Sequence, residues 1–135
     1  MATTPSDAKK NALKPAEAEP FRVLLQTLRA RLRGDVSQMT ESALRKTRSE
    51  SSGDLSSMPI HMADIGSDNY EQEFTLNMLA AEEGTLQLIQ DALARIDSGM
   101  YGACVECGGR IKKPRLNAIP YTPLCIDCAN QREHA

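Results

Sequence analysis

The chain has 135 residues, a formal net charge of −2 and few aromatic side chains: no Trp, three Tyr and two Phe. That bounds it to one modest domain with tails, argues against a large aromatic core, and excludes a global basic signature for nucleic acid. No apolar run approaches the roughly 20 residues needed to span a bilayer, and Met1 to Pro20 has no apolar stretch of a signal peptide. A cytoplasmic, reducing location is therefore the expectation.

Residues 1–19 carry Pro5, Pro15 and mixed polar residues, and are expected as a disordered tail. Pro20 suits the first position of a helix. From Phe21 the pattern is helical: Leu25, Leu32 and Met39 recur every seven residues, with Leu28 three past the first. Gly34 weakens the middle of this helix, which is expected to fade near Arg48. Residues 49–63 hold five serines, Gly53 and Pro59, and read as a loop. Helical periodicity resumes near Ser67. Leu79, Leu86 and Leu93 share one heptad position, and Ile89 and Ile96 the one three residues on. Gly99 is expected just past the helix end, in a left-handed turn.

Neither helix can bury its stripe alone, so the two are expected to pair as an antiparallel two-stranded coiled coil. Charge favours the pairing. Between Phe21 and Glu50 there are seven bases and three acids; between Asp64 and Asp91 there are seven acids and no Lys or Arg. Each exposed ion pair adds well under about 1 kcal/mol. The acids also leave a negative surface near Asp64 and Asp68.

All four cysteines lie in the last 32 residues, as Cys104-Val105-Glu106-Cys107 and Cys125-Ile126-Asp127-Cys128, separated by 17 residues. Two C-x2-C knuckles at this spacing bring four thiolates within about 2.3 Å of one tetrahedral zinc ion. Two disulfides are the alternative, disfavoured in a reducing compartment. Four thiolates close the zinc shell, so the metal is read as structural rather than catalytic. Arg110, Lys112, Lys113 and Arg115 follow the first knuckle. They are read as compensating the negative zinc–thiolate centre, with a small nucleic-acid patch as the alternative. No nucleophile–base pair, phosphate-cradling loop or paired carboxylates appear, so no catalytic residues are assigned and the chain is not read as an enzyme.

The expected fold class is mainly α: residues 1–19 a tail, 20–99 a long antiparallel hairpin with its tip loop at about 49–66, and 100–135 a small four-cysteine finger with a short C-terminal helix. Such an acidic rod suits a basic channel or groove of a large partner.

The run from Ala92 to Cys104 resembles the helix-to-finger junction of the DksA/TraR zinc-finger family, including its general-stress YteA/DksA-like branch. Ile111 to Cys128 is similar too, with Arg115-Leu116, Ala118, Pro120 and Cys125-Ile126-Asp127-Cys128. The likeness continues upstream through Ala63-Asp64 and Glu71-Gln72-Glu73-Phe74, and reaches the first helix only by architecture. It implies a transcription regulator that binds RNA polymerase rather than specific DNA sequences. Such proteins insert the hairpin through the secondary channel, and tip carboxylates act near the catalytic magnesium. Asp64 and Asp68 are the candidate partner-binding residues, and a monomer is expected. Where relatives carry two tip aspartates and then Ala, this chain has His61, Asp64 and Gly66. Relatives that act with the alarmone ppGpp have basic residues at the positions of Ile119 and Ala129, so little or no alarmone synergy is expected. A zinc-stabilised coiled-coil adaptor for another partner is the alternative function.

Overall fold

A computed structural model describes residues 5–51 and 62–134 along the backbone, and the surroundings of side chains over 8–45 and 70–134. Among the described residues five helices follow in chain order: α1 (Pro5–Asn11), α2 (Pro15–Ser51), α3 (Met62–Ser98), α4 (Lys113–Ala118) and α5 (Ile126–Glu133). Among the described residues the extended structure amounts to an isolated antiparallel bridge between Ala103 and Arg110. The mainly helical class, the paired long helices and the short C-terminal helix agree with the expectation.

The N-terminal expectation needs correction. Residues 5–11 and 15–19 are helical rather than a disordered tail, and α2 starts at Pro15 rather than Pro20. Both early prolines begin helices, where a missing N–H costs nothing. The N–H groups of Glu17 and Ala18 both reach the Lys14 carbonyl at 2.9 Å. Pro20 lies inside α2. Helix continues through it because packing holds both sides: Ala18 is 3% exposed and Leu25 is fully buried.

The break between the long helices is also shorter than expected. α2 runs to Ser51 and α3 begins at Met62, so residues 49–51 and 62–66 of the anticipated tip are helical. Residues 52–61, including most of the Ser-rich loop and His61, lie outside the described residues.

The chain divides into two compact units. The first takes residues up to Ala30 and from Leu86 onward. Its core gathers Leu25 from α2, Ile89, Ala92 and Leu93 from α3, and Tyr101, Ile111, Leu116 and Leu124 from the finger. The Phe21 and Tyr101 rings meet with centroids 5.6 Å apart. Tyr101 donates its hydroxyl to the Pro120 carbonyl at 2.7 Å, so its one polar atom is satisfied although buried. Arg22 Nη1 bonds Asp97 Oδ1 at 2.6 Å across the two helices. Asp97 lies outside the acidic stretch counted in the sequence.

α3 ends as Gly99 requires. With φ +75°, Gly99 allows its own N–H to reach Ile96 O at 3.2 Å and that of Met100 to reach Arg95 O at 2.8 Å. These are the two bonds of a Schellman stop, and they turn the chain into the finger.

The second unit spans Arg31–Thr85. Its described residues belong to α2 and α3, which face each other through Asp35, Met39 and Ser42 on one side and Phe74, Met78 and Glu82 on the other. The seam residues Leu32, Met39 and Leu79 are half-buried. Arg45 pairs with Glu41 on its own helix at 2.6 Å.

Candidate metal centre

The finger is built from two knuckles held at fixed separation. In the first, Cys104 N donates to Gly109 O at 2.7 Å and Gly108 N to Cys104 O at 2.9 Å, closing a tight loop. Gly109 N donates to Cys107 Sγ at 3.3 Å. A Cβ on Gly109 would stand 3.2 Å from that same sulfur, so a side chain there would crowd the ligand. The second knuckle opens α5: Cys125 is its N-cap and Cys128 stands in its first turn. Val105 N donates to Pro123 O at 2.9 Å and ties one knuckle to the approach of the other.

Arg115 braces that approach. It donates to Leu124 O at 2.9 Å and to Thr122 Oγ1 at 3.3 Å. Arg95 adds a bond to Thr122 O at 3.4 Å, and burial pulls its pKa below the ordinary arginine value. Arg132 of α5 pairs with Glu106 inside the first knuckle.

The four sulfurs of Cys104, Cys107, Cys125 and Cys128 lie within 4.8 Å of one another. Cys107 Sγ and Cys125 Sγ are 3.7 Å apart. Sulfurs at about 2.3 Å from a tetrahedral ion are separated by about 3.8 Å, so the spacing fits zinc. All four cysteines are free thiols, which sets aside the disulfide alternative. Their environments differ. Burial pushes the Cys104 thiol up, but backbone N–H groups of Cys107, Cys125 and Glu106 outweigh it and hold the pKa at about 6. Cys128 moves the other way: its bond to Cys125, followed by burial, raises it. At Cys107 the Gly109 N–H favours the thiolate, while burial and the sulfurs of Cys104 and Cys125 oppose it and leave the thiol raised. Crowded thiols of this kind ionise together only with a cation among them, so the cluster is chemically suited to a divalent metal. Zinc here supplies a closed four-thiolate clasp that joins the two knuckles, and the remaining finger contacts orient its ligands.

The other expected site residues fare differently. The backbone puts Asp64 and Asp68 in the opening turns of α3, and their side chains lie outside the described residues. Ile119 caps the end of α4 with 37% exposure, and Ala129 is half-buried in α5. Of the four cations read as compensating the centre, Arg115 serves as the strut just described and Lys113 pairs with Glu17 at 3.2 Å. The sequence reading missed α1 and its tie to the finger, an Asn11 Nδ2 bond to Gly108 O at 2.8 Å.

A four-cysteine finger joined to a pair of long antiparallel helices defines a class of C4 zinc-finger helical-hairpin proteins. Residues 99–134 match the prokaryotic DksA/TraR C4-type zinc finger. An uncharacterised protein of Aquifex aeolicus is 36% identical over 82% of this chain and 77% of its own length. The chain belongs to the DksA/TraR family. The RNA polymerase-binding transcription factor DksA of Haemophilus influenzae is 35% identical over 47% of this chain and 45% of that protein. Bacillus subtilis YteA is 30% identical over 61% of this chain and 34% of its own length. The chain thus matches less than half of each of these two relatives. The solved structure of the transcription factor DksA2 from Pseudomonas aeruginosa superimposes with a TM-score of 0.72 at 28% identity, covering 88% of this chain and 84% of that one. Both named DksA relatives are described as transcription factors. No helix among the described residues is long and apolar enough to cross a membrane.

Proposed function

We propose that this protein is a transcription regulator that binds RNA polymerase, entering the secondary channel with the end of its α2–α3 hairpin that bears Asp64 and Asp68. It acts as a cytoplasmic monomer and does not read specific DNA sequences. The observation that carries the reading is the likeness to DksA2 over 88% of the chain, because it takes in the long helices as well as the finger. The acidic character of α3 supports it: seven acids and no base between Asp64 and Asp91 suit a positively lined channel. Zinc has a structural part in this scheme, holding the finger that carries the C-terminal end of α3.

The test is co-purification with core RNA polymerase, paired with transcription by the purified enzyme. The native chain is expected to bind and to alter transcription. Asp64→Asn together with Asp68→Asn is expected to keep binding and lose the transcriptional effect. Absence of any polymerase association contradicts the proposal and leaves the adaptor function instead. Position-matched basic residues are missing at Ile119 and Ala129, so ppGpp is expected to add little. A strong alarmone effect in the purified system contradicts that part alone.

A further inference from the structure

The finger-bearing unit contains a groove of about 820 Å³ between α1, the start of α2 and the segment that follows the first knuckle. Lys9, Lys10 and Lys14 line one side; Arg110, Lys112 and Lys113 line the other. All six are exposed. Glu17 is the acid on the lining, and it is already engaged by Lys113 at 3.2 Å. Even with Glu17 and the double negative charge of a four-thiolate zinc centre set against them, the cations leave a positive surplus. More positive charge gathers here than compensation of the metal requires.

The two sides are held by specific contacts. Asn11 bonds Gly108 O at 2.8 Å, and Leu13 N bonds Tyr101 O at 2.8 Å. Gly102 has φ +96°, and a Cβ there would meet Leu13 Cγ at 2.9 Å, so the α1–α2 link is seated directly on finger backbone. The groove is therefore a built feature of this unit, assembled from residues 97 or so positions apart in the case of Asn11 and Gly108.

We propose that this groove binds the phosphodiester backbone of a single-stranded nucleic acid, without reading its sequence. Cations along both sides of a channel follow a chain that carries one charge per nucleotide. The lining holds no aromatic side chain on which a base could stack, and no Asn, Gln or acid free to read base edges other than the anchored Asn11. Affinity then comes from phosphate contacts alone. The apolar part of the floor, from Leu13 and Ile111, suits sugar edges. An acidic protein surface and an anionic bilayer fit less well. The first would present irregularly spaced carboxylates, and the second is too flat to reach the floor of a groove. The proposal is independent of polymerase binding and compatible with a protein that selects no DNA sequence.

The test is fluorescence anisotropy of the zinc-loaded full chain with labelled 12-nucleotide single strands of two unrelated sequences, over a potassium chloride series starting near 50 mM. Both sequences are expected to bind equally, with affinity falling steeply as salt rises. The triple variant Lys9→Gln, Lys10→Gln, Lys14→Gln is expected to bind at least tenfold more weakly. Its log–log salt slope should be shallower by about two, at roughly 0.7 per lost contact. Zinc content and circular dichroism check that this variant remains folded; the double variant Lys112→Gln, Lys113→Gln tests the opposite side. Arg29→Gln, Arg31→Gln, Arg33→Gln makes the same charge change away from the groove and is expected to bind as the native chain does. Three results overturn the proposal: no binding at 50 mM salt, equal weakening by the Arg triple variant, or equal competition by poly-glutamate of matched charge.

Discussion

The two units differ in how they are held together. In the finger-bearing unit Leu25 and Ile89 are fully buried and Tyr101 is 1% exposed, while the described part of the Arg31–Thr85 unit contains no buried side chain at all. There the seam residues are half-buried, and Leu44, Phe74 and Leu76 are each more than half exposed. One unit has a closed core, a metal site and hydrogen bonds between segments distant in sequence. The other has two helices and a shallow seam. Stability is concentrated where the four cysteines are, and the two long helices of the other unit owe their order to a contact line of modest depth. A hairpin of this kind can devote its outward positions to a partner, because its fold asks little of them.

Metal removal is expected to break this contrast most strongly. A structural zinc site contributes on the order of 10 kcal/mol in small domains. Stripping the metal, or replacing the buried ligand Cys104 by Ser, should unfold the finger, lower the thermal midpoint sharply and weaken partner binding. Mass spectrometry of metal content alongside circular dichroism reads this directly. A metal-free chain that stays fully folded and active would contradict the clasp.

Core truncation comes next. Leu25→Ala or Ile89→Ala removes a fully buried side chain and is expected to cost about 2–5 kcal/mol in urea unfolding. Leu32→Ala or Leu79→Ala, at half-buried seam positions, should cost distinctly less. Equal losses at the two pairs would erase the distinction between the units.

Glycine substitutions should even differ in sign. Gly102→Ala puts a Cβ against Leu13 at 2.9 Å on backbone with φ +96°, and is expected to cost about 1–3 kcal/mol. Gly34→Ala meets nothing within 4 Å inside α2 and is expected to stabilise by about 1 kcal/mol. Thermal midpoints of the two single variants decide the matter.

The smallest effect concerns pH. Burial pushes the Tyr101 hydroxyl up to about 12 from an ordinary value of 10. The fold thus favours the neutral phenol. Its contribution is complete below about pH 10 and lost as pH climbs toward 12. Tyr101→Phe, which gives up the bond to Pro120 O, should cost about 1 kcal/mol at neutral pH and flatten that alkaline loss. Unfolding curves at pH 7 and 11 check both statements.

The cysteine ligands were legible in the sequence because metal chemistry imposes a spacing that little else produces. The helical seam was legible for a similar reason, since Leu25, Ile89 and Leu93 repeat with the helix and prove buried. Gly99 announced the end of α3 because few other residues tolerate its φ of +75°. What escaped was tertiary. Pro5 and Pro15 looked like marks of an unstructured tail, yet each opens a helix, and only the finger backbone gives α1 and Leu13 something to hold. Likewise Lys9, Lys10 and Lys14 stand about a hundred positions from Lys112 and Lys113, so no local pattern could join them into one groove. The acidic α3 was read as a partner for the basic α2, whereas the ion pair Arg22–Asp97 draws on an acid outside that stretch.

The most direct test of the proposed function is a photo-crosslinking residue introduced beside Asp64, with the zinc-loaded chain bound to core RNA polymerase and the adducts mapped by mass spectrometry. Crosslinks to polymerase segments around the active centre are expected, lost when the secondary channel is blocked. Crosslinks confined to the outer surface of the enzyme, or none at all from a bound chain, would contradict it.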